Sequence, residues 1–143
     1  HVITTASAKN HALLKKIGAD EVIDYHTTNF AEVLTDVDLV FDTMGGEVQK
    51  NSFDVLKPNT GRLVSIVGIE DKQLAAEKNV SAESIWLQPN GEQLQKIADL
   101  MAAGKVKSII GEVFPFSRQG IYDAHALSET HHAVGKIVVQ MAE

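Results

Sequence analysis

The amino-acid sequence predicts an α/β fold with a mainly parallel sheet. Strand and helix signals alternate along the 143 residues. The strand segments are short runs rich in Val and Ile, as is typical of parallel strands that are covered on both faces. Glycines follow several of these runs and several of the helical segments, as expected where strands and helices end in such an alternating chain.

The first half of the chain predicts four strands and three helices. The predicted strands are 1–5, 21–25, 37–42 and 61–68. The predicted helices are 9–17, 30–34 and 47–56. The first helix is expected to stop at Gly18, the usual residue just past a helix C-terminus. In the third helix, Val48, Phe53 and Leu56 fall roughly on one side, which indicates the face that packs on the sheet.

The second half contains the clearest helix signal. Residues 69–80 are polar and predict an excursion between elements, and 82–88 predict a strand. A helix is expected after Asn90, which occupies the N-cap position three residues before Gln93, and it should close at Gly104. Its apolar residues recur at helical spacing: Leu94, Ile97, Ala98 and Met101. The remaining predicted elements are a strand at 109–116, a helix at 118–129 and a strand at 135–140.

Composition excludes several classes of protein. The net charge of −6 argues against a nucleic-acid binder, which normally carries a basic face. The absence of cysteine excludes disulfides and thiolate metal sites and fits a cytoplasmic protein. No run approaches the roughly 20 apolar residues of a membrane span, so we expect no membrane partner. The six histidines lack the spacing of metal ligands, so we expect no bound metal. Residue 1 is His rather than Met, which leads us to expect a processed product or a piece of a longer chain.

The ends of the predicted strands are the places to look for a ligand. In open parallel sheets, ligands bind beyond the carboxyl ends of the strands. Those ends are Thr4 to Lys9, Asp24-Tyr25, Asp42 to Gly46 and Val67 to Ile69. The glycines at the last two ends allow a ligand to approach the backbone closely, although each alone would also suit an ordinary turn.

At this point the order of motifs becomes recognisable. The segments are "VITTASAKN", "LLKKIGADEVIDY", "VDLVFDTMGG", "GRLVSIVG", "PNGEQLQKIADLMAAGKVK" and "FPFSRQGIYDAHALSETHHAVGKIVV". Together they resemble the medium-chain dehydrogenase/reductase superfamily, and most of all its quinone oxidoreductase-like, zinc-independent branch. The resemblance covers essentially the whole chain. It implies a Rossmann fold, which is a doubly wound parallel sheet with strand order 3-2-1-4-5-6.

The same resemblance implies that the chain carries only part of that fold. The sequence contains no G-x-G-x-x-G, and its first strand resembles strand 2 of the family. We therefore expect a partial Rossmann fold that lacks strand 1 and the glycine-rich loop. Residues 1–105 would form the partial dinucleotide-binding domain, and 106–143 would be a C-terminal segment that returns to an absent catalytic domain. No catalytic residue can be named.

The end of the first strand predicts NADPH as the cofactor. NAD-specific Rossmann proteins place an acid there to bind the ribose 2′-hydroxyl, whereas this chain has Thr5 and Ser7 with Lys9 nearby, which suit a 2′-phosphate. Tyr25 matches a tyrosine that lines the adenosine phosphate in NADPH-using relatives. An arginine of relatives that reaches the same phosphate is matched by His131, which is mostly neutral at pH 7. The alternative is that Ser7 caps the following helix and Lys9 is solvated.

By resemblance, five residues would line the pyrophosphate and nicotinamide side of the crevice: Thr43, Gly45, Val67, Gly68 and Ile69. The alternative for Val67 is core packing at a strand end. Asp42 is either a ribose contact or the cap of the turn that follows it.

These observations predict the cofactor-binding portion of an NADPH-dependent oxidoreductase that reduces a quinone, enone or carbonyl by hydride transfer. The substrate would be a small molecule held by the absent domain, so the isolated chain should be inactive. The alternative is a non-catalytic nucleotide-binding or regulatory α/β module; a methyltransferase-like sheet is disfavoured because it usually needs an acid after strand 2. We expect a homo-oligomer, such as a dimer, because unpaired strand edges recruit partners, or a rearranged sheet in which strand 2 pairs directly with strand 4.

Overall fold

The computed structural model of the chain describes residues 1–141 and divides into two units, His1–Gln88 and the segment from Pro89 onward. The first unit contains β1 (Ile3–Thr5), a 3-10 turn (Ala8–Asn10), α1 (His11–Lys16), β2 (Glu21–Ile23), α2 (Phe30–Val33), β3 (Leu39–Asp42), α3 (Gly46–Val55), β4 (Arg62–Ser65), α4 (Lys72–Glu77) and β5 (Ser81–Ser84). The second contains α5 (Gly91–Ala102), β6 (Ile110–Pro115), α6 (Arg118–Glu129) and β7 (Lys136–Gln140). The predicted α/β alternation is confirmed.

Every strand pair in the first unit is parallel. β1 pairs with β2, with Ile3 opposite Glu21. β3, β4 and β5 form a three-stranded sheet in which β4 is central, and Asp42 lies opposite Ser65. Because parallel strands end at the same edge, the residues that follow β1 and β2 are neighbours, and so are those that follow β3 and β4.

β1 and β3 are not hydrogen-bonded to each other in the part of the chain that the structure describes. In the strand order that the resemblance implies, β1 corresponds to strand 2 and β3 to strand 4. The expected alternative of a rearranged sheet with direct pairing of these two strands is therefore wrong. β3 keeps its place because β4 and the core below α3 hold it. Self-association through the two edges stays a prediction.

The core of the first unit lies between α3, α4 and the three-stranded sheet. Its buried members are Phe53, Leu56, Leu63 and Ala75. Helix α3 buries Gln49, Ser52, Phe53 and Val55, so the expectation that Val48 shares the inner face is wrong. Val48 is 41% exposed. The physical reason is that the next position, Gln49, turns inward to satisfy a buried polar network.

Strand β3 is covered on one face only within the described residues. Leu39 and Phe41 are 56% and 61% exposed, whereas Asp42 is buried and Val40 packs against the core. The apolar run 37–42 thus forms the predicted strand, but its two faces differ. Helix α3 and the core cover one face of β3.

Two predicted elements need correction between residues 69 and 88. The polar excursion contains helix α4, which forms because the Asp71 carboxylate accepts a hydrogen bond from the Leu74 backbone at 2.8 Å and Ala75 is buried in the core. The strand expected at 82–88 instead spans Ser81–Ser84. It ends there because its partner β4 ends at Ser65, whose carbonyl accepts the last hydrogen bond, from Ile85.

The second unit confirms its predicted elements. Asn90 caps α5, since its side chain accepts a hydrogen bond from the Gln93 backbone at 2.9 Å. β6 and β7 are parallel. The compact division falls at residue 88 rather than 105. The functional boundary predicted at 105 stays a prediction, and the last two residues of segment 106–143 lie outside the described residues.

Candidate functional site

The ends of β1 and β2 bring three of the predicted residues together. Thr5, the last residue of β1, lies opposite Ile23, the last residue of β2. The next backbone amide, that of Ala6, donates to the Ile23 carbonyl at 2.9 Å. Ser7 and Tyr25 each lie two residues beyond these strand ends, so Thr5, Ser7 and Tyr25 share one edge of the β1–β2 pair.

The hydroxyl of Ser7 does not cap the following helix. Ser7 occupies the N-cap position of the 3-10 turn, yet its side chain forms no cap hydrogen bond. Its Oγ atom accepts a long hydrogen bond, at 3.4 Å, from the side-chain nitrogen Nδ2 of Asn10. The capping alternative for Ser7 is therefore wrong. Lys9 is exposed and forms no ion pair with a carboxylate anywhere in residues 1–141, which leaves its ammonium group available to an anion.

Tyr25 stands half exposed beside a turn. Its ring contacts the His26 ring, with centroids 4.2 Å apart and planes tilted by 40°. The neighbouring carboxylate of Asp24 is engaged in the same turn, because its Oδ1 atom accepts from the His26 backbone at 3.0 Å. Tyr25 is 50% exposed, so the ring can pack against a ligand at this edge.

The end of β3 carries a buried carboxylate with four donors. The Oδ1 atom of Asp42 accepts from the backbone nitrogens of Met44 and Gly45, each at 3.0 Å. Its Oδ2 atom accepts from Gln49 Nε2 at 2.7 Å and from Ser65 Oγ at 2.8 Å. Burial acts to raise the pKa of this carboxyl, but the four hydrogen bonds, led by the one from Gln49, hold the pKa below its ordinary value. Asp42 is thus the cap of the turn rather than a ribose contact.

Gln49 joins this carboxylate to the segment that follows β4. Its amide nitrogen also donates to the Gly68 carbonyl at 2.7 Å, and its amide oxygen accepts from the Glu70 backbone at 3.0 Å. The side chain is 1% exposed. Both amide hydrogens and the amide oxygen are therefore used inside the protein.

A second link crosses in the opposite direction. The Glu70 Oε1 atom accepts from the Gly46 backbone nitrogen at 2.8 Å, at the beginning of α3. Gly45 has φ 70°, and a Cβ atom there would lie 3.1 Å from Glu70 Oε1 and 3.3 Å from Val67 Cγ2. Glycine suits position 45 because other residues rarely adopt its positive φ, and a Cβ atom there would also require the Glu70 and Val67 side chains to shift slightly.

The other predicted residues of this edge lie around the same two segments. Thr43 is exposed directly after β3, and Gly68 has φ 98° in the segment after β4. Val67 is 53% exposed, so the core-packing alternative for Val67 is wrong. Ile69 is half-buried and packs against the core cluster. The structure therefore brings Thr43, Gly45, Val67, Gly68 and Ile69 to the neighbouring ends of β3 and β4.

His131 belongs to the second unit. It is exposed just after α6, with φ 57°. Its assignment to the cofactor phosphate stays a prediction.

Sequence reasoning missed Gln49 and Glu70 as parts of the site. A signal for Gln49 was present, because Gln49, Ser52, Phe53 and Leu56 recur at i, i+3, i+4 and i+7. A glutamine in an otherwise inward stripe indicates a buried amide that needs partners. No sequence signal identifies Glu70, since its contact depends on how the segment after β4 folds back toward α3.

Two further properties of residues 1–141 bear on the candidate functions. No cluster of three or more His, Asp or Glu side chains there could hold a metal ion. No helix in that range combines the length and the apolar character that crossing a membrane requires.

A protein-family model described as zinc-binding dehydrogenase matches residues 17–139. The chloroplastic NADPH-dependent alkenal/one oxidoreductase of Arabidopsis thaliana is 30% identical over 138 residues, which are 96% of this chain and 33% of that protein. The chain spans less than half the length of the curated relatives it matches.

Solved structures with the same fold include two quinone oxidoreductases. The enzyme from Coxiella burnetii matches with a TM-score of 0.87 and 37% identity over 99% of this chain and 45% of that one. The enzyme from Thermus thermophilus, whose structure was also determined as a complex with NADPH, matches with a TM-score of 0.76 and 26% identity, over 99% of this chain and 49% of that one. The predicted Rossmann-like architecture is confirmed.

Proposed function

Because the chain belongs to the zinc-binding dehydrogenase family, we propose that it is the cofactor-binding portion of an oxidoreductase that uses NADPH to reduce a quinone or an enone. The observation that carries the proposal is the match to a quinone oxidoreductase along 99% of the chain at 37% identity. The alkenal/one relative supports enones as a second substrate class. We include carbonyl compounds as a third substrate class because the resemblance described in the sequence analysis implies them.

The edge of β1 and β2 fits the adenosine end of NADPH. It offers the hydroxyls of Thr5 and Ser7, the exposed ammonium of Lys9, which forms no ion pair within residues 1–141, and the half-exposed ring of Tyr25. Hydroxyl and ammonium donors suit a phosphate dianion, whereas an acid at this edge would favour the free 2′-hydroxyl of NADH. Asp24, the nearest acid along β2, has one carboxylate oxygen engaged by the His26 backbone.

The edge of β3 and β4 fits the other end of the cofactor. Gly68, which is partly exposed and has φ 98°, brings bare backbone to the surface, where a flat ring or a pyrophosphate can lie against it, whereas Gly45 is buried and shapes the turn beside it. Val67 offers an exposed apolar contact for one face of the ring. When bound, the cofactor supplies the hydride from C4 of its nicotinamide ring. This chain's residues bind and orient that ring, and the substrate-holding residues belong to a partner domain.

The cofactor preference is tested with the complete reading frame that encodes this chain. NADPH and NADH dissociation constants are measured for the wild type and for Ser7→Asp. We expect the wild type to prefer NADPH, and we expect Ser7→Asp to lose most of that preference, because a carboxylate would repel the 2′-phosphate. Equal binding of NADH by the wild type, or an unchanged preference in Ser7→Asp, would contradict the proposal.

The isolated 143-residue chain serves as the control for the activity. Without the glycine-rich loop and the catalytic domain, it should show no NADPH-dependent reduction of a quinone or enone. Detectable NADPH-dependent reduction of a quinone or enone by the isolated chain would contradict the proposal that the substrate is held by another domain.

Two further expectations belong to the proposal. We propose that the isolated chain forms a homo-oligomer, such as a dimer, because β1 and β3 each present an unpaired edge among the described residues. Light scattering after gel filtration tests it, and a monomer at micromolar concentration contradicts it. We also propose a cytoplasmic location, which fluorescence microscopy of the tagged full-length protein tests. The matched relatives include a chloroplastic protein, so an organellar signal is the contradicting result.

A further inference from the structure

Two loops at the ends of neighbouring strands form one side of the proposed cofactor site. Loop 43–46, whose last residue Gly46 is also the first residue of α3, follows β3, and loop 66–70 follows β4. The sheet ladder fixes only where they begin, through the Ile66 amide, which donates to the Asp42 carbonyl at 3.1 Å. Beyond that bond the strands no longer hold the loops together. Side chains must therefore set the spacing between the two loops.

One side chain reaches the backbone of loop 66–70 twice. Gln49 donates to the Gly68 carbonyl at 2.7 Å and accepts from the Glu70 amide at 3.0 Å, so its side chain holds the backbone on both sides of residue 69. The same amide nitrogen donates to Asp42 at 2.7 Å. Asp42 in turn holds the amides of loop 43–46. Gln49 is thus connected to both loops, directly to one and through Asp42 to the other.

Glu70 closes the connection from the other side. Its carboxylate accepts from the Gly46 amide at 2.8 Å, across the gap between the loops. Gln49 and Glu70 therefore provide one buried and one exposed link between the loops. A third link runs through Ser65, whose Oγ atom accepts from the Val67 amide at 3.1 Å and donates to Asp42 at 2.8 Å. These links connect the turn at the buried Gly45 with the partly exposed Gly68, whose backbone is proposed to face the cofactor.

The chemistry of the buried link suits an amide specifically. The position must donate to the Asp42 carboxylate and to the Gly68 carbonyl while it accepts from a backbone amide. A glutamate cannot donate both bonds and would bring a second negative charge next to Asp42. A methionine fills the same volume but makes none of the bonds.

We propose that Gln49 and Glu70 are positioning residues that fix the spacing between loops 43–46 and 66–70 and thereby set how tightly the nicotinamide end of the cofactor is held. This inference rests on the proposed function. Neither residue is assigned a part in the chemical step. Both act through the backbone of the loops.

The test uses four variants of the complete reading frame. Gln49→Met removes the buried link, and Ser52→Ala is its matched control. Ser52 lies buried on the same helix, and its hydroxyl donates to the Val48 carbonyl at 2.8 Å rather than to either loop. Glu70→Ala removes the exposed link, and Glu70→Gln is its conservative partner, since its side-chain oxygen can still accept from Gly46.

Two measurements are made at a temperature at which circular dichroism shows each variant folded. The first is the NADPH dissociation constant. We expect Gln49→Met to raise it about tenfold and Glu70→Ala about threefold, with Ser52→Ala and Glu70→Gln within about twofold of the wild type. The second is amide exchange without cofactor. We expect the Glu70 amide to exchange about tenfold faster in Gln49→Met and to be unchanged in Ser52→Ala.

The outcomes separate the inference from the proposed function. A wild type that binds NADPH while Gln49→Met binds it equally well overturns the inference alone. Equal weakening by Ser52→Ala also overturns it, because the effect would then be one of stability. A wild type that binds no NADPH overturns the proposed function and the inference together. If Gln49→Met does not fold, the two Glu70 variants decide. The inference then requires Glu70→Ala to raise the NADPH dissociation constant and Glu70→Gln to leave it close to the wild type, and equal values overturn it.

Discussion

Replacement of the buried carboxylate at the end of β3 tests whether the polar network is held by charge. In Asp42→Asn, the side-chain oxygen can still accept from the amides of Met44 and Gly45. The new amide nitrogen, however, takes the place of Oδ2, which lies 2.7 Å from the Gln49 Nε2 donor. Two donors then face each other at 4% exposure. Hydrogen bonds to a charged acceptor contribute about 1.5–3 kcal/mol each, so we expect Asp42→Asn to lose about 3 kcal/mol of unfolding free energy at pH 7.

The pH dependence of this difference has a definite sign. The pKa of Asp42 in the folded chain is held below its ordinary value, although burial opposes the shift. An unfolded aspartate titrates near about 3.9, so the contribution of Asp42 is fully present above about pH 5. It is lost as the pH falls through the folded pKa. The difference between wild type and Asp42→Asn should therefore be constant from pH 7 to pH 5 and narrow below about pH 4.

The assay is urea unfolding of the chain followed by circular dichroism at several pH values. Asp36→Asn is the control, because Asp36 is exposed and has φ 56°, a backbone conformation that asparagine also tolerates. The control should stay within about 0.5 kcal/mol of the wild type at every pH. An Asp42→Asn difference that is below about 1 kcal/mol at pH 7, or that does not narrow in acid, would refute the reasoning.

Two more predictions concern local backbone features, each checked by unfolding or exchange of the chain. Gly45→Ala should lower the free energy of unfolding by about 1–2 kcal/mol because φ is 70° there. Gly91→Ala is the control, because Gly91 has an ordinary φ with open space around it, and it should leave the free energy of unfolding unchanged or slightly higher. Equal effects of the two substitutions in a urea titration would contradict this. Asn90→Ala should lower the stability of helix α5 by about 1 kcal/mol, because the Asn90 side chain accepts a hydrogen bond from the Gln93 backbone amide at 2.9 Å. The Gln93 amide should then exchange faster with deuterium. An unchanged exchange rate would count against the cap.

The parts of the fold that depend on local patterns were predictable. Helix α5 carries a cap, an apolar stripe and a closing glycine within its own sequence, and the observed helix matches the expectation within two residues at its C-terminal end. Helix α4 was missed because its inward side chains are only the buried Ala75 and the partly buried Leu74, and two adjacent positions give no helical period in the sequence. The end of β5 was misplaced because the length of a strand is set by its partner, which here stops at Ser65.

The candidate site divides in the same way. The strand-end residues Ser7, Tyr25 and Gly68 were predictable, because parallel topology alone brings strand ends to one edge. The links made by Gln49 and Glu70 were not, since they join positions 19 to 24 residues apart across two loops. The spacing of residues 49, 52, 53 and 56 did indicate the inward face of α3, but the apolar Val48 beside Gln49 gave a competing signal, and the polar neighbour is the buried one.

The most direct test of the central claim is a comparison of cofactor binding by the complete protein and by this chain alone. NADPH and NADH are titrated into both by isothermal calorimetry under one buffer and salt condition. The complete protein should bind NADPH at least about tenfold more tightly than NADH, a difference of about 1.4 kcal/mol, and the isolated chain should bind NADPH far more weakly than the complete protein. A complete protein that binds neither nucleotide, or that prefers NADH, contradicts the assignment.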